Sequence, residues 1–282
     1  MSLGLDPTTG GLSTVTMAGF NWAGAHNQIA QYVYKTFNDT DYNLQRGFCC
    51  YGPLPGRQHG ANPNQTTTSP RVTGMWHERG VAPQGLIARL QMPALQHEQY
   101  GAPRTLWLTV GVDQNDGSVS IDLQAFNKTT TRLGEASFAR FRPTQRDGFR
   151  WLMDKLGSWV DPLDTVINGS VHSHGIRDGV AYVKAGSRHR HAPPATAEHG
   201  AFFAIDSLDA FLADPATAAE PATNFLWPLS PLTGPVLGFD LQLHQNAFAT
   251  NMPLFSLDSD FRWRFRLRAA EERGNNGFVK LK

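Results

Sequence analysis

Five histidines, His172, His174, His189, His191 and His199, crowd into one stretch of the chain. Imidazole is the commonest metal ligand, and a His-x-His pair on a strand puts both rings on one face. A zinc site needs its ligands to converge tetrahedrally, normally with a carboxylate or thiolate among them. HSH and HRH bring no convincing third ligand, and there is no HExxH and no spaced cysteine pair. The histidines therefore read as polar loop residues, and neither metal nor cofactor is expected.

Hydrolysis would need a nucleophile beside a base, or two carboxylates held a fixed distance apart. Asp206 and Asp209 in IDSLDAF are close in sequence, with Glu198 nearby. The simpler reading is that Asp206 ends a strand while Ser207 or Asp209 caps a short helical turn. GxSxG, a Gly-rich phosphate loop and CxxC are all missing, so acyl transfer, nucleotide use and dithiol chemistry find no support. No catalytic residue is assigned.

Recognition chemistry is better represented. Asn246 and Asn251 in LHQNAFATNMPLF carry amides suited to sugar hydroxyls, and Phe248 and Phe255 could stack on a sugar face. Asparagine in a turn is equally explained by backbone capping. In Asp260 to Arg268, Phe261, Trp263, Phe265 and Leu267 alternate with Arg262, Arg264, Arg266 and Arg268. The arginines could meet an acidic partner, or they form a solvated face balanced by carboxylates on adjacent strands. A one-residue slip would bury four guanidiniums, so the register of this strand should be fixed.

The elements that must carry these groups read as strands. Leu12 to Met17 and Ile29 to Phe37 are predicted strands, and Asp39 to Arg46 reads as one or two helical turns. Residues 47 to 70 form a long exposed loop rich in Gly, Pro, Asn, Gln and Thr. Thr105 to Val112 and Ser118 to Asn127 flank the short loop DQNDG. In the second, Val119, Ile121, Leu123 and Ala125 face one way, and Phe126 hints at a bulge. Further strands are predicted at Phe138 to Arg142, Val180 to Lys184, Phe202 to Asp206 and Val236 to Leu243. Gly186 to Gly200 and Ala213 to Ala222 read as loops. The final two strands are expected to pair as a closing tail from Leu237 to Leu267.

Composition agrees. Of 282 residues 40% are apolar and only 17% charged, with 27 glycines and 18 prolines. That balance favours many short strands and turns over long charged helices. No candidate helix clearly exceeds three turns, so an α/β crossover fold is hard to build. The predicted class is all-β, one large antiparallel β-sandwich domain spanning residues 1 to 282. A net charge of +1 argues against a general nucleic-acid binder. No apolar run reaches the roughly 18 residues that span a bilayer. The N-terminus lacks a signal peptide's basic and apolar segments, and the two cysteines, Cys49 and Cys50, are neighbours. An intracellular protein is expected by default, although Asn38, Asn64, Asn127 and Asn168 each head an Asn-x-Ser/Thr sequon.

Several stretches together resemble the C-terminal β-sandwich of a glycosidase-like family related to glycoside hydrolase family 38. They are LDPTTGGLSTV (Leu5 to Val15), QYVYKTF (Gln31 to Phe37), IDLQAFNKTTTRLGEASFARFRP (Ile121 to Pro143) and DKLGSWVDPLDTVINGSVHSHG (Asp154 to Gly175). IDSLDAF, LQLHQNAFATNMPLF and DFRWRFRL complete the series in order. The resemblance implies a galactose-mutarotase-like supersandwich that packs against a metal-dependent catalytic barrel. That barrel, with its metal ligands and nucleophilic carboxylate, is absent from this sequence. By position, Lys128, Arg132 and Glu135 match the family's charged cluster, His172 and His174 its HxH, and Asn246, Thr250 and Asn251 its Asn-rich stretch. The sequence departs from the pattern at Val171, Phe248 and Ala249, which puts some sugar or barrel contacts in doubt. Implied partners are a carbohydrate, or a barrel on another segment or chain. The implied function is a non-catalytic sandwich supporting that barrel. The alternatives are a stand-alone carbohydrate-binding module and a truncated structural remnant.

Overall fold

The computed structural model describes residues 1–38, 41, 64–78, 85–131, 133–166, 171–184, 201–218, 232, 234–246 and 260–271. Among these the first strands are β1 (Ser2–Leu5), β2 (Leu12–Met17), β3 (Phe20–Asn21), β4 (Ile29–Thr36), β5 (Thr66–Thr68), β6 (Arg71–His77) and β7 (Leu86–Gln91). Helix α1 (Ala94–Tyr100) follows, then β8 (Thr105–Val112), β9 (Val119–Phe126), β10 (Glu135–Phe141), β11 (Phe149–Lys155) and β12 (Ser158–Val160). The remainder are β13 (His174–Gly175), β14 (Gly179–Lys184), β15 (Phe202–Ser207), β16 (Leu212–Ala216), β17 (Gly238–Gln245) and β18 (Phe261–Ala270).

They form two nine-stranded sheets. The first runs β1-β2-β4-β10-β17-β16-β13, with β3 on β2 and β5 on β4; the second runs β12-β11-β14-β15-β18-β9-β8-β7-β6. The strand pairings are antiparallel throughout. The large antiparallel β-sandwich read from the sequence is the architecture found.

One continuous apolar core lies between the sheets. Phe141 of the first sheet meets Phe265 of the second edge-on at 5.2 Å, and Phe239 meets Trp151 likewise at 5.2 Å. Trp22 stacks on Phe203 at 4.7 Å and donates its indole N–H to the Met17 carbonyl at 3.1 Å. Each such aromatic side chain contributes about 2 to 3 kcal/mol by leaving water.

Several sequence expectations are corrected. β17 and β18 are not partners: β17 lies between β10 and β16, and β18 between β15 and β9, in opposite sheets. Local pattern fixes which face a strand buries, but not which strand lies beside it. Thr66–Thr68 pairs with β4 instead of continuing the loop. Leu212–Ala216 is a strand where an Ala/Pro loop was expected. Pro215 is tolerated there because β13 pairs only with Leu212 and Ala213, leaving the missing N–H without a ladder partner to serve. β9 keeps an unbroken register through Phe126, so no bulge occurs. Residues 42–46 and 47–63, and the stretch 185–200 with His189, His191, Glu198 and His199, lie outside the described residues.

The arginine row follows the quieter of its two readings. Arg262 pairs with Asp122, Arg264 with Asp209 at 2.9 Å, Arg266 with Asp116, and Arg268 with Asp206 at 2.5 Å. Asp206 therefore points along the sheet to an arginine, and Asp209 accepts the Arg264 side chain and backbone N–H instead of capping a helix.

Candidate functional site

The sequence-derived residues Lys128, Glu135 and Asn246 come together on the inner side of the first sheet. Lys128 Nζ donates to Glu135 Oε1 at 2.6 Å and to the Gly101 and Thr129 carbonyls at 3.3 Å each. Those three acceptors match the three donors of an ammonium. The Tyr34 hydroxyl reaches Glu135 Oε2 and the Tyr100 carbonyl (2.6 Å), and the Thr131 hydroxyl reaches Glu135 Oε1 at 3.3 Å. Asn246 donates its amide to the Thr131 carbonyl at 2.6 Å and its backbone N–H to the Glu135 carbonyl at 2.8 Å. The group ties the end of α1, β4, β10 and the end of β17 together. Burial pushes the Glu135 carboxyl up from its ordinary value, against the opposing pull of Lys128, Tyr34 and Thr131. Lys128 and Glu135 are both buried. Next to them His244 is pulled down to about 3 by burial and by the Lys128 charge.

His172 and His174 lie elsewhere, at the β13 edge of the same sheet. His174 is buried, with Nε2 3.3 Å from the Val171 carbonyl, and burial followed by the Lys155 charge pulls it down to about 4. A neutral imidazole results. No group of three or more possible metal ligands occurs among the described residues. Arg132, Thr250, Asn251, Phe248 and Phe255 lie outside the described residues.

The more reactive arrangement occupies the outer face of the first sheet. On β17, Phe239 and Leu241 enter the core, so Asp240 and Gln242 point the other way. Ala139 and Phe141 do the same for Arg140, Tyr34 for Lys35, and Ala213 for Asp214. Asp214 and Asp240 are direct cross-strand partners. Two neighbouring carboxylates would repel, and the surroundings separate their behaviour. Burial opposes ionisation of Asp240, but Arg142 (2.9 Å), Arg140 (3.1 Å) and Lys35 (3.9 Å) outweigh it. They hold Asp240 well below the usual carboxylate range.

Among the described residues Asp214 forms no ion pair, and the Lys35 charge acts on it only weakly. Gln242 Nε2 donates to its Oδ1 at 2.7 Å, and also to Ser173 Oγ at 2.9 Å. Its Oδ2 is buried without a hydrogen-bond partner among the described residues. Burial pushes Asp214 up to about 7 and the Asp240 charge adds to the rise, against the opposing pull of the Gln242 amide, the Ser173 hydroxyl and the Lys35 charge. Such a carboxyl holds or releases a proton at neutral pH, while Asp240 stays a fixed anion. Both aspartates are buried, whereas the Arg140 and Arg142 side chains keep 18% and 12% exposure. Solvent therefore reaches the two guanidiniums, while the aspartates stay covered.

Sequence reasoning named His172 and His174 and passed over Ser173, the one whose side chain meets Gln242 and the Asp214 group. The signal was present in FDLQL, where polar residues alternate with core residues on a strand that pairs on both sides.

No protein-family model matches the chain, and no curated protein matches it. Among solved structures it is similar to the Slr1438 protein from Synechocystis sp. PCC 6803. That match has 11% identity and a TM-score of 0.43, covering 96% of this chain and 92% of that one. It is also similar to a GalM/aldose epimerase homologue from C. elegans, at 13% identity and a TM-score of 0.36, covering 96% of this chain and 82% of that one.

Proposed function

We infer that the chain is a carbohydrate-recognising sandwich of the galactose-mutarotase-like kind, belonging to a glycosidase-like protein related to glycoside hydrolase family 38. Its catalytic barrel would reside on another segment or chain. The outer-face group around Asp214 supports the carbohydrate-recognition part, and the sequence resemblance alone supports the family relation and the barrel. A carboxyl oxygen without a partner among the described residues, a glutamine amide, a serine hydroxyl and two partly exposed guanidiniums together supply the kinds of acceptor and donor that sugar hydroxyls meet. In this reading Lys128, Glu135 and Asn246 brace the sheet from behind, and His172 and His174 with Ser173 close one end of the group. Arg132 and Asn251 remain proposed sugar contacts from the resemblance.

The test is titration calorimetry of the purified chain against a panel of neutral monosaccharides at millimolar concentration, with Asp214→Ala and Gln242→Ala alongside. Binding by the parent chain and its loss in both variants is expected. No heat with any sugar would sink the idea. The same preparation should leave aryl glycosides unhydrolysed, and metal-dependent turnover would overturn the non-catalytic part.

The proton poise of Asp214 favours a second reading, acid–base transfer at a sugar's anomeric centre. Polarimetry on freshly dissolved aldoses decides it. Acceleration of anomer interconversion that disappears in Asp214→Asn would replace binding with catalysis.

A further inference from the structure

The outer face of the second sheet holds an aromatic surface that the functional reading does not use. Val72, Ala88, Leu90, Leu106 and Leu108 of β6, β7 and β8 belong to or pack on the core, so their cross-strand alternates face outward. Those alternates include Trp76, Ile87, Arg89, Trp107 and Thr109. Trp76 is 50% exposed. Its indole lies 5.5 Å from that of Trp107, at an interplanar angle of 22°. Two tryptophans on one open sheet face are an exposed apolar patch of the kind that marks a binding surface.

The position of the first ring is set by Gly74. A Cβ at that residue would stand 2.4 Å from Trp76 Cη2 and 3.0 Å from Cζ2. The glycine thus leaves room for the indole to lie across its own strand towards Trp107. An exposed tryptophan would otherwise be free to swing through solvent.

What borders the rings indicates what they bind. Trp107 is flanked across β7 and β9 by Arg89 and Gln124. Beyond Gln124 come Arg262 and Arg264, each already joined to an aspartate, Asp122 or Asp209. Gln124 itself donates to Asp122 Oδ1 at 3.3 Å. The margin is therefore rich in donors and acceptors in one plane, with the Arg262 and Arg264 charges already paired and Arg89 beside Trp107 as a further donor. A protein partner laid flat here would have to strip water from those ion pairs without replacing it. A strongly anionic partner would compete with Asp122 and Asp209 for the same guanidiniums. A pyranose chain does neither: its C–H face lies on the indoles while its edge hydroxyls meet wet amides and guanidiniums.

We propose that Trp76 and Trp107 form a platform for a neutral polysaccharide, separate from the Asp214 group on the opposite sheet. The platform holds a polymer, whereas the Asp214 group addresses a single sugar unit.

Affinity electrophoresis of the whole chain tests this, in native gels containing hydroxyethyl cellulose, soluble xylan or soluble starch, with polygalacturonate as the anionic comparison. Retardation in at least one neutral gel is expected. It should weaken about tenfold in Trp76→Ala and Trp107→Ala, a loss of about 1.4 kcal/mol. Gly74→Val, which keeps both indoles but displaces one, should weaken it too, and Trp76→Tyr should restore part of it. Asp214→Ala should leave it unchanged, which separates the platform from the first-sheet site. Absence of retardation in every neutral gel overturns the proposal. So does retardation confined to polygalacturonate, or equal retardation of Trp76→Ala. Self-association that Trp76→Ala abolishes would assign the face to a second copy and overturn it as well.

Discussion

Asp214 and Asp240 face each other across β16 and β17, and their surroundings give them opposite protonation behaviour. Three cations surround Asp240, while Asp214 receives an amide and keeps one oxygen without a hydrogen-bond partner among the described residues.

The first prediction concerns Asp214 and pH. Its carboxyl titrates near 3.8 when unfolded and at about 7 when folded. Between those values the folded state holds a proton that the unfolded state has lost, so this group's contribution to stability falls as pH rises and levels off above 7. Asp214→Asn abolishes that loss. The variant should gain on the parent by up to roughly 4 kcal/mol across the window, read from urea midpoints. A constant difference at all pH values would refute the assignment.

His174 runs the other way. It moves from 6.5 unfolded to about 4 folded, so the unfolded state takes up protons first as pH falls. Its contribution is therefore full above 6.5 and is lost towards 4. His174→Gln should lose less of its thermal stability on acidification than the parent, measured by circular dichroism melts at both ends of that interval.

Lys128 and Glu135 should behave as a buried pair. Lys128→Met leaves a buried carboxylate without its cation and should cost about 3 to 5 kcal/mol. Adding Glu135→Gln should recover a good part of that cost. A double-mutant cycle by urea denaturation checks the coupling, and simple additivity of the two changes would contradict it.

The two faces of β18 should differ sharply. Replacing Arg262 or Arg264 by Ala should leave the urea midpoint nearly unchanged, because both are exposed surface pairs. Phe265→Ala, at 1% exposure, should cost about 3 to 5 kcal/mol.

Gly238 opens β17 at φ 153°, where an added Cβ would lie 2.0 Å from the Phe141 carbonyl oxygen. Backbone cannot move aside cheaply. Gly238→Ala should destabilise by at least about 2 kcal/mol, seen as a lowered melting temperature.

Much of this protein is written locally. Alternation in Phe261 to Arg268 and in Val119 to Ala125 fixed which residues enter the core, because side chains on a strand repeat with period two and burying the charged set is prohibitive. Turn-rich composition and the shortage of helical periods likewise fixed the all-β class. Adjacency was not written there. That β17 and β18 part to opposite sheets depends on hydrogen bonds between residues far apart in sequence, and backbone ladders carry no side-chain signature of their partner. The site shares this property. Asp214 and Ser173 look ordinary in sequence, and Asp240 shows only as a polar residue alternating with core residues; the pairing of β16 with β17 and β13 is what sets the proton-holding carboxyl beside the clamped one. Burial and neighbouring charge make Asp214 different, and both come from tertiary packing.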